Sequence, residues 1–521
     1  MRSMRGGCFG WKSTVLWIGL ALACTAWAQN DSPPISLHPL NPKYFLFRGK
    51  PTFLLTATEH YGSVLNRAFD FHKYLDDAAA HHMTLTRTFL LFREIAGDKN
   101  PASPCKPKAQ DYIAPWPRTG PGMALDGQAK FDLSQWNPEY FQRLHDFLDL
   151  ASARGIVVEL TLLSNTYGDP VWALNPLRAE NNLQGVGKIP WPQYMSLRDP
   201  QVLKYQLDHV RKIVQETAGY DNVYYEICNE PGGGVPGRGF PGPVSPAEVD
   251  AWEARIADTV REEMTKAGKT HLIFGSQAFS YTPAFHQDLD ATFAGNAFDV
   301  VNVHPLPDTI LGGRRFQLGN FMSRELHIGD LRDFALTAWK QPKANVWDED
   351  NAASMYRDDV GWTIDRKRAW TALLSGCHYD LIDFSLQAGQ ETGTPQSQEK
   401  LRRWFTILSD YFRTVDFVHA APMPGWIGRT PPHVFAVTSV VEGKDYIAYL
   451  ADDREFGDPK AGQKIGGMVE MKLPPGKYSI RFFSPTTGQY TDCCPVEGGQ
   501  TQYQGIGEME HDVVLRATLM K

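Results

Sequence analysis

Cysteine is scarce, with seven in 521 residues. No C-x-x-C pair and no Cys/His cluster at metal-ligand spacing occurs, which excludes a disulfide framework and a cysteine-built metal centre. Positive charge is not in excess either: 52 Lys and Arg against 59 Asp and Glu leave a formal net charge of -7. Without a long basic run, a nucleic acid or an anionic membrane is not the expected partner. The one marked apolar run, "VLWIGLALA" near the start, is too short to span a bilayer. What remains is an ordinary globular composition, 42% hydrophobic and 21% charged, in a chain longer than one ordinary domain uses. A large barrel-type domain plus a smaller one, with a neutral or weakly charged substrate, fits those bounds.

The first residues read as an export signal. Arg2, Arg5 and Lys12 precede the apolar run, and Ala26-Trp27-Ala28 supplies an A-x-A cleavage site before Gln29. Residues 1–28 are therefore expected to be a signal peptide, and the mature protein secreted or periplasmic. Cys24 at the end of "ALAC" offers a rival, a lipid anchor; Ala21 stands where such signals usually carry Leu or Val, so plain export is preferred. Cys105, Cys228, Cys377, Cys493 and Cys494 then remain, an odd number. His81 and His82 read as a solvated helix end rather than a metal site, and no metal or organic cofactor is expected.

From residue 50 the chain alternates short apolar runs with amphipathic helices. The runs are 53–59, 85–91, 156–163, 222–230, 271–277, 298–305, 344–350 and 380–386, eight candidate strands. Asn137-Pro138 opens a helix with Tyr140, Leu144, Phe147 and Ala151 on one face. Asp199-Pro200 opens another, with Leu203, Leu207, Val210 and Val214 in register, and Ser245-Pro246-Ala247-Glu248 is a capping box. Eight strand–helix units predict a closed (β/α)8 barrel, residues 29–418. An open doubly wound sheet would want a Gly-rich loop after its first strand, and "TATEHYGSVLN" is not one. From residue 419 to 521 short alternating strands and Pro/Gly turns predict a small all-β sandwich.

The segments after strands two and three are long and carry Trp116, Arg118, Tyr167, Trp172 and Asn182. In a barrel they lie at the carboxyl-end face, where active sites are built. Glu230 closes strand four in "YYEICNEP", and Asp348-Glu349-Asp350 closes strand seven. Carboxylates from separated strands thus point into one mouth. Two of them across a cleft are what glycoside hydrolysis needs: one protonates the leaving oxygen, and the other attacks or activates water at the anomeric carbon.

These residues, with Arg87 in "LTRTF" and His304 in "VVNVHP", resemble the cellulase-like (β/α)8 retaining glycoside hydrolases of clan A, over roughly residues 45 to 415. The resemblance implies a double displacement on a carbohydrate, with Glu230 as acid/base, Glu349 as nucleophile, Asn229 on the sugar 2-hydroxyl and Arg87 near the nucleophile. Asp348 and Asp350 remain alternatives to Glu349, because acids flank it on both sides. Glu226, deeper on strand four, reads as a structural carboxylate satisfied by Arg87. His60, at the end of strand one, is placed either to reach substrate or to support the fold. Trp116 and Trp172 either stack on sugar rings or pin the long loops. Strand eight ends in "DFSL", without the Trp that many of these enzymes place there. The tail, "MKLPPGKYSIRFFSPTTGQY", resembles the collagen-binding-type β-domain appended to several bacterial glycosidases, and packing against the barrel is the preferred role over free glycan binding. A catalytically silent glycan-binding protein on the same scaffold is the alternative function. Sugar, linkage, endo or exo action and oligomeric state stay open.

Overall fold

The computed structural model describes residues 32–93, 105–232, 242–276, 278, 286–319 and 323–520. The expected export signal, residues 1–28, and the glycines at 233 and 234 lie outside them. Eight parallel strands form one sheet: β1 (Leu55–Thr58), β2 (Leu85–Phe89), β3 (Val157–Ser164), β4 (Val223–Asn229), β5 (Ile273–Gly275), β6 (Val300–Val303), β7 (Asn345–Asp350) and β8 (His378–Ile382). Their order is β1-β8-β7-β6-β5-β4-β3-β2. The seam between β1 and β2 is closed by Thr84 N–H donating to Leu55 O at 3.1 Å and Phe89 N–H donating to His60 O at 2.9 Å.

A helix follows every strand: α1 (Phe71–Ala80), α2 (Pro138–Ala153), α3 (Pro200–Thr217), α4 (Pro246–Ala267), α5 (Asp290–Ala294), α6 (Ile328–Trp339), α7 (Asp359–Leu374) and α8 (Arg403–Arg413). Local chemistry sets their starts. Asn137 accepts from Glu139 N–H, Asp199 accepts from Gln201 and Val202 N–H, and Ser245 with Glu248 forms the capping box, satisfying amides that have no partner within the helix. The eighth strand begins two residues before the expected 380–386 run. Gly376, at φ 83°, turns the chain directly after α7, a conformation that glycine adopts freely. His378 then pairs with Val346, and Tyr379 with Leu55.

The barrel is layered. At its amino-terminal end Phe45 and Phe47, from a small N-terminal sheet, join Leu85, Val157, Tyr224, Phe274, Val300 and Val346 in one apolar cluster. Tyr224 stacks on Phe274 with ring centroids 3.8 Å apart. This floor excludes water from below. Above it the interior turns polar: Arg87, Glu159, Glu226, Asn302, Asp348 and Asp380 are all fully buried. Buried charge of this density is costly unless paired and hydrogen-bonded, so the layer must be read as a network.

After the barrel come β9 (Val434–Val441), β10 (Asp445–Asp452), β11 (Met468–Met471), β12 (Lys477–Phe483), β13 (Tyr490–Asp492), β14 (Val496–Glu497), β15 (Gln502–Gly505) and β16 (Asp512–Leu519). They make a six-stranded antiparallel sheet, β9-β10-β16-β12-β13 with β14 beside β12, and a separate β11–β15 pair. Val469 and Met471 of the pair share a core with Leu450, Ile480, Leu515 and Ala517 of the larger sheet. This β-domain docks on α7. Arg366 Nε lies 2.9 Å from Asp512, and the rings of Trp370 and Tyr449 stack at 5.5 Å.

Candidate active site

Both strand-end glutamates leave their strands by the same backbone device. Glu230, just after β4, has φ 46°, and Glu349, inside β7, has φ 52°. A left-handed conformation in a residue with a Cβ costs about 1–2 kcal/mol, and such strain concentrates at functional sites. In β7 the ladder to β8 slips between Trp347 and Asp350, the four residues Trp347–Asp350 opposing the three from Tyr379 to Leu381. Such a bulge re-aims a side chain. It separates the three acids that the sequence left as alternatives. Asp348 turns into the barrel, where Asn302 Nδ2 donates to it at 3.1 Å. Asp350 turns outward to Arg368 of α7 at 2.6 Å and accepts from Tyr379 Oη at 2.7 Å. Glu349, between them, stands in the mouth with 5% of its surface exposed.

Arg87 is the hub beneath the mouth. Its Nη1 donates to Glu349 Oε2 at 3.0 Å, and its Nη2 donates to Glu226 Oε2 at 2.6 Å and to Asn229 Oδ1 at 2.9 Å. Asp348 Oδ2 lies 3.2 Å from the same Nη2. One guanidinium cannot balance that many carboxylates, so protons do the rest. Burial, with the charge of Glu226 beside it, pushes Glu159 up to about 8, and burial raises Asp348 well above its ordinary value. Glu159 is held by Tyr224 Oη at 2.7 Å and Asn302 Nδ2 at 2.8 Å. The fate expected of Glu226, satisfied inside the barrel by Arg87, is the arrangement found.

Glu349 is treated differently. Burial works against its ionisation, but hydrogen bonding to His60 and the charges of Arg87, His60 and His304 together hold its carboxyl well below the ordinary range. Tyr61 Oη donates to Glu349 Oε1 at 3.1 Å. His60 is fully buried behind it, 3.3 Å from Asp380. Burial opposes the charged imidazole, yet the Asp380 carboxylate and hydrogen bonds to Asp380 and Glu349 raise His60 to about 9. Glu349 is thus an ionised carboxylate with cations behind it.

Glu230 has other company. Its Oε2 accepts from Tyr167 Oη at 2.6 Å, and its Oε1 lies 3.4 Å from His304 Nδ1. That same Nδ1 is 3.9 Å from Glu349 Oε2, so the two carboxylates crowd one imidazole nitrogen from different strands. His304 is 2% exposed and also approaches Asp348.

The structure brings together Glu230, Glu349, Arg87, Asn229, His304 and His60, and it revises what several of them face. Arg87, His60 and Asn229 expose no surface; they hold the carboxylates from behind. The Asn229 amide, assigned by resemblance to a sugar 2-hydroxyl, here donates to Tyr167 Oη at 2.7 Å. Sugar stacking by Trp116 and Trp172 is corrected. Each is 1% exposed; Trp116 stacks on Trp136 at 5.9 Å, and Trp172 packs on Tyr194 and donates to Ile189 O. An indole with no free face pins a loop. Among the described residues, Tyr167, 37% exposed, is an aromatic that meets the mouth, packed edge-on against Phe92. Its sequence signal, "NTYGDP" after strand three, gave the position and not the partner.

Among the described residues, Glu226, His304 and Asp348 each bring one ligand-type atom within 4.8 Å of the others. The Arg87 guanidinium bonds Glu226 and stands beside Asp348.

A family profile for a domain of unknown function (DUF6298) matches residues 108–194, which span the loop after β2, then α2, β3 and the loop beyond. No curated protein matches the chain. Among solved structures it is similar to a glycoside hydrolase family 5 protein from Bacteroides vulgatus, with TM-score 0.59, 11% identity and 93% of each chain covered. A second structure, a glycoside hydrolase, gives TM-score 0.59 at 10% identity, covering 93% of this chain and 97% of that one. Likeness at this identity establishes the fold, a glycosidase-like (β/α)8 barrel with a β-domain. No helix among the described residues is long and apolar enough to cross a membrane.

Proposed function

We propose that this protein is an exported retaining β-glycosidase that cleaves a poly- or oligosaccharide by double displacement, with Glu349 as nucleophile and Glu230 as acid/base. The observation that carries the reading is the unequal treatment of two carboxylates in contact with one histidine. Arg87, His60 and Tyr61 keep Glu349 charged and aimed into the mouth, whereas Glu230 sits against the neutral Tyr167 hydroxyl and the shared imidazole. Paired carboxylates with divided roles are the working parts of glycoside hydrolysis.

In the first step a Glu349 oxygen attacks the anomeric carbon while Glu230 gives its proton to the departing glycosidic oxygen. The bond to the aglycone breaks, leaving the sugar esterified to Glu349. In the second step Glu230, now a carboxylate, takes a proton from water; the hydroxyl oxygen attacks the anomeric carbon, and Glu349 departs ionised. Its cationic surroundings favour that departure. The glycoside hydrolase names of the structural neighbours support the substrate class, and residues 1–28 support export.

The test is a panel of aryl β-glycosides and polysaccharides against the mature protein and its Glu349→Gln variant. The reading predicts turnover by wild type that falls by about 10⁴-fold or more in the variant. An active variant would remove Glu349 as nucleophile. Wild type that binds a glycan without cleaving any of the panel would favour the silent binding scaffold.

A further inference from the structure

We infer that Tyr167 is a positioning residue that ties the acid/base to the nucleophile and decides which oxygen of Glu230 carries the catalytic proton. This rests on the function proposed above. An unbroken hydrogen-bonded path joins the two carboxylates. Arg87 Nη1 donates to Glu349 Oε2 at 3.0 Å, and Arg87 Nη2 donates to Asn229 Oδ1 at 2.9 Å. Asn229 Nδ2 donates to Tyr167 Oη at 2.7 Å, and Tyr167 Oη donates to Glu230 Oε2 at 2.6 Å. Every donor in the path has a direction. The guanidinium has only protons to give, so the amide must offer Oδ1 to it and Nδ2 to the phenol. The phenol oxygen, already accepting from the amide, aims its own proton at Glu230. Burial and the charges of Glu230 and Glu349 raise the Tyr167 hydroxyl well above its ordinary value, so it stays a donor throughout the working range.

A second tie runs through the backbone. Asn165 Nδ2 donates to Glu230 O at 2.8 Å, while Asn165 Oδ1 accepts from Tyr167 N–H at 2.8 Å. Tyr167 and Glu230 both adopt left-handed φ, 52° and 46°. Two strained residues just beyond the ends of neighbouring strands are therefore locked to one another by one asparagine and one phenol. Because Oε2 is occupied by the Tyr167 proton, the acid proton of Glu230 resides on Oε1, the oxygen that faces His304. After that proton leaves, the phenol stabilises the carboxylate that must act as base.

Tyr167→Phe keeps the ring and deletes the donor. The informative readout is leaving-group dependence. A dinitrophenyl glycoside departs without a proton, whereas a glycoside with a poor leaving group needs acid help. For the poor leaving group kcat/KM is expected to fall roughly 10- to 100-fold, the worth of a hydrogen bond to a charged group, and for the dinitrophenyl substrate by less than about 3-fold. The ratio of the two on one preparation cancels any loss of folded protein. An unchanged ratio overturns the role given to Tyr167, even if Glu349→Gln is inactive and the parent reading stands. Activity retained in Glu349→Gln, or a wild type silent on both substrates, overturns the parent reading and this inference with it.

Discussion

The ends of β4 and β7 are alike in backbone and unlike in their surroundings. Each carries near its end a glutamate in a left-handed conformation, and both glutamates meet His304 Nδ1. Behind Glu349 stand Arg87, His60 and Tyr61; behind Glu230 stands Tyr167. Identical side chains on equivalent platforms are thus given unlike neighbours, and most of those neighbours come from the ends of β1 and β2 and the loop after β3. The lesson is that a carboxylate's role is set by what the other strands bring to it.

The comparison breaks most visibly when one glutamate is made neutral. Glu349→Gln should cost about 10⁴-fold or more on every substrate, whereas Glu230→Gln should cost about 10²–10⁴-fold on substrates that need a proton and less on those that do not; steady-state kinetics on paired leaving groups measure the difference. Arg87→Met should act on the fold itself. It strips the guanidinium from the centre of a buried cluster of carboxylates, and removing one partner of such a set costs about 3–5 kcal/mol, readable as a lower urea midpoint. Tyr61→Phe removes one donor to Glu349 and should lower kcat about tenfold, alike for good and poor leaving groups, in contrast to Tyr167→Phe.

A further effect is one of pH. His60 is raised from 6.5 to about 9 in the folded protein. A group raised on folding contributes stability that is complete below its unfolded value and lost as the pH rises through the folded one. Stability should therefore decline from about pH 6.5 to 9, and His60→Gln should flatten that limb; denaturant titrations across the range measure it. A limb unchanged in His60→Gln would mean that the imidazole is neutral.

Much of this was legible in the sequence, because it is written in short-range patterns. The apolar runs, the Asn137, Asp199 and Ser245 caps and the Asn-Glu-Pro strand end are all local signals, and each marks an element found where expected. The choice among Asp348, Glu349 and Asp350 was not legible. A two-residue period fails at a bulge, and the bulge is fixed by Arg368 on α7 and Asn302 on β6, neither of which is near in sequence. Trp116 and Trp172 misled for a related reason: aromatic residues in a loop at the mouth can face the cleft or the core, and their long-range partners Trp136 and Tyr194 decide. Tyr167 was visible as a loop aromatic, but its hydroxyl contact spans 63 residues, and the contact of Tyr61 with Glu349 spans 288.

The central claim is that Glu349 becomes covalently bound to the sugar while its neighbours do not. The most direct measurement soaks the mature protein with the dinitrophenyl 2-deoxy-2-fluoro glycoside of the sugar that the panel identifies, then maps the added mass by peptide sequencing. The account predicts one sugar per chain, on Glu349. A label on Asp348, Asp350 or Glu230, or turnover with inverted anomeric configuration and no label, would contradict it.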